Sequence, residues 1–405
     1  MIKLSILVVG ASIAGPATAY WLAKAGAKVT VIERFPRLRN SGQAVDIRTV
    51  GISVMQNIPG MEAQVRAKWT QEEGYSFVRE SGLPYGTIRA SGNPDQQSLI
   101  SEFEIFRGDL SKILYDLTKD NESVEYVFGE QIASMQQSEM DRGPITVEFA
   151  NGMATSDYDL VAACDGATSR TRAMGLGCAV REHIFPTNTW AAYFSIKQDL
   201  LRGSRVGQAH SAVGGRFFSI EPDPSGFSRV MLMGIHPRDK RDTTLPFRQA
   251  LAQGDEALKK HISQHHQEDF YASEIVQVKV PSLYKGRFVL VGDAGYAAGH
   301  TGGGTSLALA GPYMMTGEIN KHSGDLVAGI RGYEQQMRPL IKEMQKIPPL
   351  VATILAPQTP WGIWVRNYAL AFIAWTGILG FAQKYFGSAF VSTDTFPIPE
   401  YHWAF

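Results

Sequence analysis

The chain opens on the run Leu4-Ser5-Ile6-Leu7-Val8-Val9, apolar at every position but one and stopped by Gly10. A strand buried on both faces has this pattern, because no position along it must face water. Lys3 gives the start a faint likeness to a secretory signal. Six residues is at the short edge for such a segment, and the glycine that follows suits a strand entering a turn. Pro16–Ala25 reads as a helix: Pro16 fits the first turn, where its missing N–H costs nothing, and Gly26 fits the position just past the end. Lys28–Glu33 is a second apolar strand, and the short connection makes the pair a parallel βαβ unit. Further on, a helix near 49–57 is stopped by Pro59. Asp109 is placed as the N-cap of a helix carrying Leu110, Ile113, Leu114 and Leu117 on one face. Val124–Phe128, Ile145–Phe149 and Asp159–Cys164 read as strands, with Asn151-Gly152 as a hairpin turn signal.

Between 180 and 280 the texture changes. Apolar and aromatic runs at 189–196, 216–221 and 229–235, separated by Gly, Pro and Asp, predict an antiparallel sheet inserted as a second domain. Gly286–Asp293 returns to the style of a parallel strand, and Gly299–Gly304 opens a helix over Thr305–His322. The last 60 residues read as helical and are rich in Trp and Pro. No internal repeat or low-complexity linker interrupts the chain.

Composition narrows the class. With 405 residues the chain holds two to three domains, at roughly 100–200 residues each. Lys+Arg and Asp+Glu are both 39, so the net charge is zero, which argues against nucleic acid as the main partner. At 44% hydrophobic and 19% charged, the composition is globular and excludes a disordered or collagen-like chain. Cys164 and Cys178 form neither a disulfide framework nor a four-ligand zinc site; they read as reduced thiols of a cytoplasmic protein.

Three stretches carry candidate chemistry. Gly10-x-Ser12-x-x-Gly15 is a dinucleotide fingerprint in which Ser replaces the middle glycine. It follows a strand, opens a helix whose N-terminus favours a pyrophosphate, and is followed 18 residues after Gly15 by Glu33, placed to bind ribose hydroxyls. The bland alternative is a glycine-rich structural turn. Gly292-Asp293 ends a buried strand, where the carboxylate is placed for a polyol chain or for capping a helix. Gly299-His300-Thr301-Gly302-Gly303-Gly304 presents free N–H groups at a helix start, which favours an anion; the alternative is flexible linkage.

Taken in order, Gly10–Gly15 with Glu33-Arg34, then Cys164-Asp165-Gly166-Ala167-Thr168-Ser169-x-x-Arg172, then Gly286-Arg287 through Gly292-Asp293, resemble the single-component FAD-dependent aromatic hydroxylases, the group A flavin monooxygenases. The likeness spans nearly the whole chain. It implies an α/β fold: a Rossmann-like FAD-binding domain, an inserted antiparallel β-sheet substrate domain and a helical C-terminal segment. The corresponding division is 1–75, 101–178 and 281–345 for FAD binding, 76–100 and 179–280 for substrate, and 346–405 for the tail. Ser41–Arg48 resembles the segment beside the flavin in tetracycline-inactivating monooxygenases, which assigns Gln43 and Asp46 to the cofactor. Arg107 matches an arginine that contacts FAD, and Asp165 with Arg172 matches a motif implicated in FAD and NAD(P)H use. Gly10, Ser12, Ala14, Gly15, Glu33, Arg34, Gly292, Asp293, Gly303 and Gly304 complete the implied FAD site. The helix beginning near Thr305, if aimed at a reduced isoalloxazine, would stabilise its negative charge by roughly 0.3–1 kcal/mol when exposed and up to about 2 when partly buried.

The implied reaction uses NADPH or NADH and O2 to insert one oxygen atom, through a flavin C4a-hydroperoxide, into a bulky, largely apolar aromatic or polycyclic small molecule. Hydroxylation is the default, with epoxidation and Baeyer–Villiger insertion open to the same intermediate. One departure stands out: the family has one or two prolines shortly after Gly-Asp, and Asp293–His300 has none. That keeps two rivals open, a flavin dehydrogenase or oxidase and a flavoprotein scaffold guiding a non-redox cyclisation. A halogenase is disfavoured because Trp361-Gly362-Ile363-Trp364 lacks that relative's Trp-x-Trp-x-Ile-Pro pattern.

On the substrate side, Tyr193, His210, Arg216 and Met231 fall on or beside strands expected to face the flavin, with ordinary packing as the alternative for each. His300, inside the glycine loop, is the strongest acid–base candidate. His265-His266 reads as a solvated helix face. Between Arg366 and Lys384 lie 17 uncharged residues, short of the about 20 a membrane span needs. Helices packed on the body are expected there, with peripheral membrane contact as the second reading. The chain is expected to be a monomer or weak dimer.

Overall fold

A computed structural model describes residues 4–39, 42–89, 103–137, 143–235, 270–347, 354, 356–376 and 398–403. His265-His266, residues 90–100, Ser41 and the tail over 377–397 lie outside the described residues. Chain order runs β1 (Ser5–Val9), α1 (Ala14–Lys24), β2 (Lys28–Glu33), β3 (Ala44–Asp46), α2 (Val50–Gln56), α3 (Met61–Ala67), β4 (Gly74–Val78), β5 (Pro84–Arg89) and β6 (Glu104–Phe106). It continues with α4 (Arg107–Asp116), β7 (Val124–Phe128), β8 (Ile132–Gln137), β9 (Ile145–Phe149), β10 (Ser156–Tyr158), β11 (Leu160–Ala163), α5 (Arg170–Leu176), β12 (Ile184–Ile196), β13 (Val206–Ala212) and β14 (Arg216–Pro222). The last elements are β15 (Ser228–Ile235), β16 (Tyr271–Val278), β17 (Tyr284–Lys285), β18 (Phe288–Leu290), α6 (Asp293–Tyr296), α7 (Gly304–Lys321), α8 (Leu326–Met344) and α9 (Pro360–Thr376).

The apolar run at the start becomes the centre of a six-stranded sheet, ordered β17-β18-β11-β1-β2-β7. From β18 to β7 the strands are parallel, and Ile6, Leu7 and Val8 are fully buried, with α1 and the three-stranded antiparallel sheet β10-β9-β8 packed in the same core. From β1 the chain steps one way to β2 and β7, then returns to the other side for β11 and β18. The strand order therefore reverses beside β1, and a crevice opens at the carboxyl ends of β1 and β11, where such sheets bind ligands. Close packing of α1 on β1 depends on glycine. A Cβ on Gly15 would lie 1.8 Å from the Gly10 carbonyl oxygen, and one on Gly10, whose φ is +106°, would lie 2.8 Å from the Cys164 carbonyl oxygen.

A seven-stranded sheet, ordered β16-β12-β15-β14-β13-β4-β5, forms the second layer. Its pairings are antiparallel except for β13 with β4. Helix α9 lies over its β4–β5 end. A Cβ on Gly86 would meet the Ala374 Cβ at 2.9 Å, and Arg366 donates to Ser211 Oγ at 2.8 Å with its guanidinium 4.2 Å from the Phe77 ring centre. The described tail end, 398–403, returns to the first layer, where Trp403 stacks on the fully buried Trp21 at 4.8 Å.

Two local expectations change. Asp109 is not an N-cap: α4 starts at Arg107 with the extended Phe106 as its cap residue, and Asp109 lies in the first turn, 3.5 Å from Lys68. An acid suits a cap and a first turn equally, since both lie in the positive field of the helix end. Asn151-Gly152 does lie between the antiparallel β9 and β10, but in a longer connection. Its shape is set by the Glu130 carboxylate, which accepts from the backbone N–H groups of Ala150, Asn151 and Met153.

Replacing Gly15 with Ala forces a methyl group onto a backbone carbonyl that cannot move aside. We expect a loss of about 1–3 kcal/mol, the ordinary cost of overpacking, read as a lower urea midpoint at unchanged m-value.

Candidate active site

The crevice beside β1 is built from backbone donors. Helix α1 starts after Ile13 with no side-chain cap and no acid in its first turn, so its leading N–H groups face the crevice without a local partner. Glu33, at the end of β2, accepts from Ala11 N at 2.9 Å and from Phe35 N at 3.1 Å. The carboxylate therefore fixes the fingerprint turn from the neighbouring strand. Ser12 is partly exposed, and its carbonyl is held by Ser111 Oγ of α4 at 3.0 Å. Arg34 is exposed, its guanidinium 5.0 Å from the Phe35 ring centre.

Residues far apart in sequence meet at the start of α6 and α7. A Cβ on Gly292 would approach Ala14 Cβ at 2.8 Å, so the first turns of α1 and α6 abut. A Cβ on Gly304 would lie 3.8 Å from Asp293 Oδ1, and one on Gly302 would lie 3.8 Å from Asp46 Oδ2. Two carboxylates and the uncapped start of α7, which follows Gly303, thus share one region. Asp293 is exposed to solvent, yet desolvation raises its carboxyl pKa while Arg107 pulls the other way. Exposure and desolvation coincide at the floor of a groove, where water fits but protein surrounds it. Arg107 packs beneath Gly42, donates its backbone N–H to Gln43 O at 2.9 Å, and lies over the Tyr271 ring at 5.8 Å. Asp46 is paired with Arg48 at 2.9 Å. Two features here lack internal partners among the described residues: the enclosed Oε1 of Gln43 and both ring nitrogens of His300. Burial lowers the His300 pKa, which favours the neutral imidazole.

The loop without prolines is held by side chains instead. Gln345 Nε2 donates to Val278 O at 2.8 Å and to Ala297 O at 3.0 Å; Gln277 Nε2 donates to Ala298 O at 3.1 Å and to Gln345 O at 2.6 Å. Arg172, fully buried, donates to the carbonyls of Ala167, Ala294 and Val180. It staples the loop after β11 to α6. Asp165 accepts from Ser169 Oγ and from the backbone N–H and hydroxyl of Thr171, organising the start of α5. The structure thus shows Asp165 and Arg172 engaged in scaffold bonds. Cys164 is buried beside Thr18, and burial pushes its thiol up to about 12, which leaves it unreactive.

Across the groove, a narrow pocket of about 10 Å³ lies between the β3 and β6 region and the second sheet. Its walls include Gln43, Phe106, Tyr193, Glu221, Arg229 and Met231. Tyr193 pairs across strands with Met231 and stacks with Tyr271 at 6.3 Å. Burial, then Glu221 and Tyr271, raises the Tyr193 phenol pKa, so it stays protonated. His210 and Arg216 do not join this wall. The register pairs Ser219 with both Met231 and Ala209, whereas His210 pairs with Phe218. Side chains alternate along a strand, so His210 and Arg216 take the face opposite Tyr193. There His210 Nδ1 donates to Val78 O at 3.0 Å, and the exposed Arg216 donates from Nε to Val213 O at 3.1 Å.

Sequence reading missed a group of carboxyls behind this wall. Glu221, Glu104 and Glu72 come from β14, β6 and the segment before β4, with Asp46 near enough to act on the first two. Burial first, and then neighbouring carboxylates, raises all three, Glu221 to about 7. Glu104 accepts a hydrogen bond from Thr70 Oγ1 at 2.7 Å. No local signal marks residues so far apart; only the register of two sheets brings them together.

Comparison with known proteins decides the family. A model described as "FAD binding domain" matches residues 3–305. The chain is 32% identical to "Monooxygenase CTB7" of Cercospora beticola over 98% of this chain and 97% of the relative. It is 30% identical to "FAD-dependent monooxygenase asL4" of Sarocladium schorii, over 92% and 93%. The chain belongs to the FAD-dependent monooxygenases. Its fold matches the crystal structure of "tetracycline destructase Tet(51)" with a TM-score of 0.76 and 26% identity, covering 99% of this chain and all of that one. The α/β architecture with its FAD-binding domain and helical C-terminal segment is that of the family. The groove residues suit FAD: the uncapped helix starts match a pyrophosphate, and the desolvated groove floor at Asp293 with the partnerless Gln43 Oε1 matches a polar, ring-bearing cofactor.

Two outcomes follow for this monooxygenase. Gln345→Ala removes two hydrogen bonds of about 1 kcal/mol each from the loop beside the groove, and we expect roughly tenfold weaker FAD retention by flavin-fluorescence titration. The carboxyl group predicts the pH response. A carboxyl raised above its unfolded value of 4.5 favours the protonated folded state, so its contribution is complete below about pH 4.5 and is lost as pH rises through about 7. The apoprotein should therefore lose thermal stability over that window, and Glu221→Gln should flatten the loss; equal slopes in both proteins would refute the assignment.

Proposed function

We propose that this FAD-dependent monooxygenase uses NAD(P)H and O2 to insert one oxygen atom into a bulky, largely apolar aromatic or polycyclic small molecule. The observation that carries this reading is the crevice of backbone donors and uncapped helix starts beside β1, which faces a wall of the second sheet carrying Tyr193 and Met231. The relative named a tetracycline destructase supports a polycyclic substrate. Gly10–Gly15, Ala14, Glu33, Gln43, Asp46, Arg107, Asp293, Gly303 and Gly304 would hold FAD along the groove. When bound, FAD supplies the electron transfer from NAD(P)H and the activation of oxygen. The chain's own part is to hold the substrate, exclude water and manage protons. Tyr193, kept protonated, donates a hydrogen bond to a substrate oxygen. His300, neutral and without a partner among the described residues, takes a proton on a ring nitrogen. The network of Gln277, Gln345 and Arg172 fixes the loop that carries His300, in place of the missing prolines.

The inferred partners are a small molecule and a membrane surface, for a chain acting as a monomer or weak dimer. No helix among the described residues is long and apolar enough to cross a membrane. Helix α9 instead turns Trp361, Trp364, Tyr368, Phe372 and Trp375 outward at helical spacing, with Trp375 83% exposed. Aromatic side chains with polar edges on one helix face suit the headgroup region.

The test is a turnover assay of the FAD-loaded protein with NADPH or NADH, ¹⁸O₂ and a panel of polycyclic phenols. The expected result is substrate-dependent oxidation of the nicotinamide and label in the product. Oxidised but unlabelled product would support a dehydrogenase, and turnover without NAD(P)H would support a scaffold. His300→Ala should slow the labelled reaction by about a hundredfold with FAD still bound.

A further inference from the structure

We propose that helix α9 docks this enzyme on an uncharged lipid surface, with Trp361, Trp364 and Trp375 seated among the headgroups of zwitterionic lipid and no contribution from anionic lipid. The inference deepens the membrane reading above and rests on it.

The exposed large apolar side chains of α9 are Trp361, Trp364, Val365, Tyr368, Phe372 and Trp375. With about 3.6 residues per turn they fall within an arc of about 100°, so they form one continuous ridge. Ring contacts join them along it, Trp364 with Tyr368 at 4.8 Å and Phe372 with Trp375 at 6.3 Å. Arg366 and Asn367, the buried residues of the helix, take the other side. A helix that covers a core hides its apolar face, and this one shows it.

Charge selects the kind of surface. From 347 to 383 the chain carries one charged side chain, Arg366. Its guanidinium turns inward, donating to Ser211 Oγ at 2.8 Å and to Ile354 O at 3.1 Å and lying 4.2 Å from the Phe77 ring centre. No Lys or Arg stands on the ridge to draw anionic headgroups, and no Asp or Glu stands there to repel them. The ridge is neutral along its whole length.

Hydrogen bonding separates a lipid from a second copy of the chain. The indole N–H groups of Trp361, Trp364 and Trp375 donate to nothing among the described residues, and an indole cannot accept. A symmetric dimer through the ridge sets the same face against itself, so the three donors of each copy meet donors, with the Tyr368 hydroxyl as the side-chain acceptor. The headgroup region of a bilayer offers ester and phosphate oxygens instead. An indole lies there with its apolar body toward the acyl chains and its N–H toward those acceptors.

Docking also has a consequence for the substrate. A Cβ on Gly86 of β5 would lie 3.1 Å from Ala371 Cα, so α9 and β5 meet at backbone contact. Strand β5 belongs to the sheet that carries Tyr193 and Met231. A docked α9 therefore sets that sheet at the surface where apolar ring compounds concentrate.

The experiment sediments the FAD-loaded protein with sucrose-filled vesicles of phosphatidylcholine alone and of phosphatidylcholine with one-fifth phosphatidylserine, at low and at high salt, and follows the tryptophan emission. The expected result is binding to phosphatidylcholine with a blue-shifted emission, equal to within about twofold across both compositions and both salts. Trp364→Ala with Trp375→Ala should weaken that binding more than about tenfold with FAD still bound, since each loses the burial of a large aromatic side chain. Both side chains are exposed in the free protein, so its fold does not depend on them. Binding that needs phosphatidylserine and fades with salt would overturn the inference and keep the membrane reading. Binding to neither vesicle would remove both. Binding that survives the double substitution would overturn α9 as the docking site, as would a dimer of the free protein that the same substitutions convert to a monomer.

Discussion

The close approach of β1 and α1 is the constraint on which the site depends. Gly15 lies so near the Gly10 carbonyl that no side chain fits, and Gly10 itself takes a backbone conformation that side chains avoid. Because α1 can sit this near the sheet, its first turn reaches the carboxyl end of β1, where β11 and β18 also end. Gly292 repeats the device from the other side by abutting Ala14. Backbone donors from two chain segments then converge on one crevice, and Glu33 locks the turn by holding Ala11 N. The parallel sheet supplies the stage, but the absence of three side chains sets the distances.

Rigidity on the reactive side of the groove comes from a different source. A proline fixes a loop by restricting its own backbone. Here the loop after Asp293 is fixed from outside, by donors from β16, α5 and the end of α8 that take up the carbonyls of Ala294, Ala297 and Ala298. This arrangement ties the position of His300 to the packing of α8. It also explains why Arg172, which looks in sequence like a ligand-binding arginine, is instead buried among carbonyls: a planar guanidinium can serve three acceptors at once, and a lysine in its place could not reach them in that geometry.

Much of this was legible in the sequence because it rests on local signals. The fingerprint turn, the apolar strands and the glycine loop each write their chemistry into adjacent residues, and β1, α1, β2, β7 and β9 appear where the apolar runs place them. Asp109 fails for a local reason, since a first-turn acid and a cap acid look alike. His210 and Arg216 fail for a register reason: a composition rich in β-formers marks a strand but not which of its faces is turned inward, and a shift of one residue reverses the answer. Glu72, Glu104 and Glu221 were illegible altogether. Each is an ordinary surface-type residue in its own neighbourhood, and only the folding of β4, β6 and β14 against one another turns three unremarkable acids into a group.

The two sides of the groove differ in charge. The cofactor side offers N–H groups and helix starts, which favour negative charge; the opposite wall sets Glu221 beside Arg229, with Glu72 and Glu104 close by. The ribbon of β3 and β6 lies between them, with Asp46 on one strand, Gln43 just before it and Glu104 on the other. Partly buried carboxyls that repel one another weaken the folded state, and a fold selected for stability alone would replace them with apolar or amide side chains of similar size. Part of that cost is offset inside the polypeptide, where Thr70 donates to Glu104, Ser219 donates to Glu221 and Arg229 favours the ionised form of Glu221.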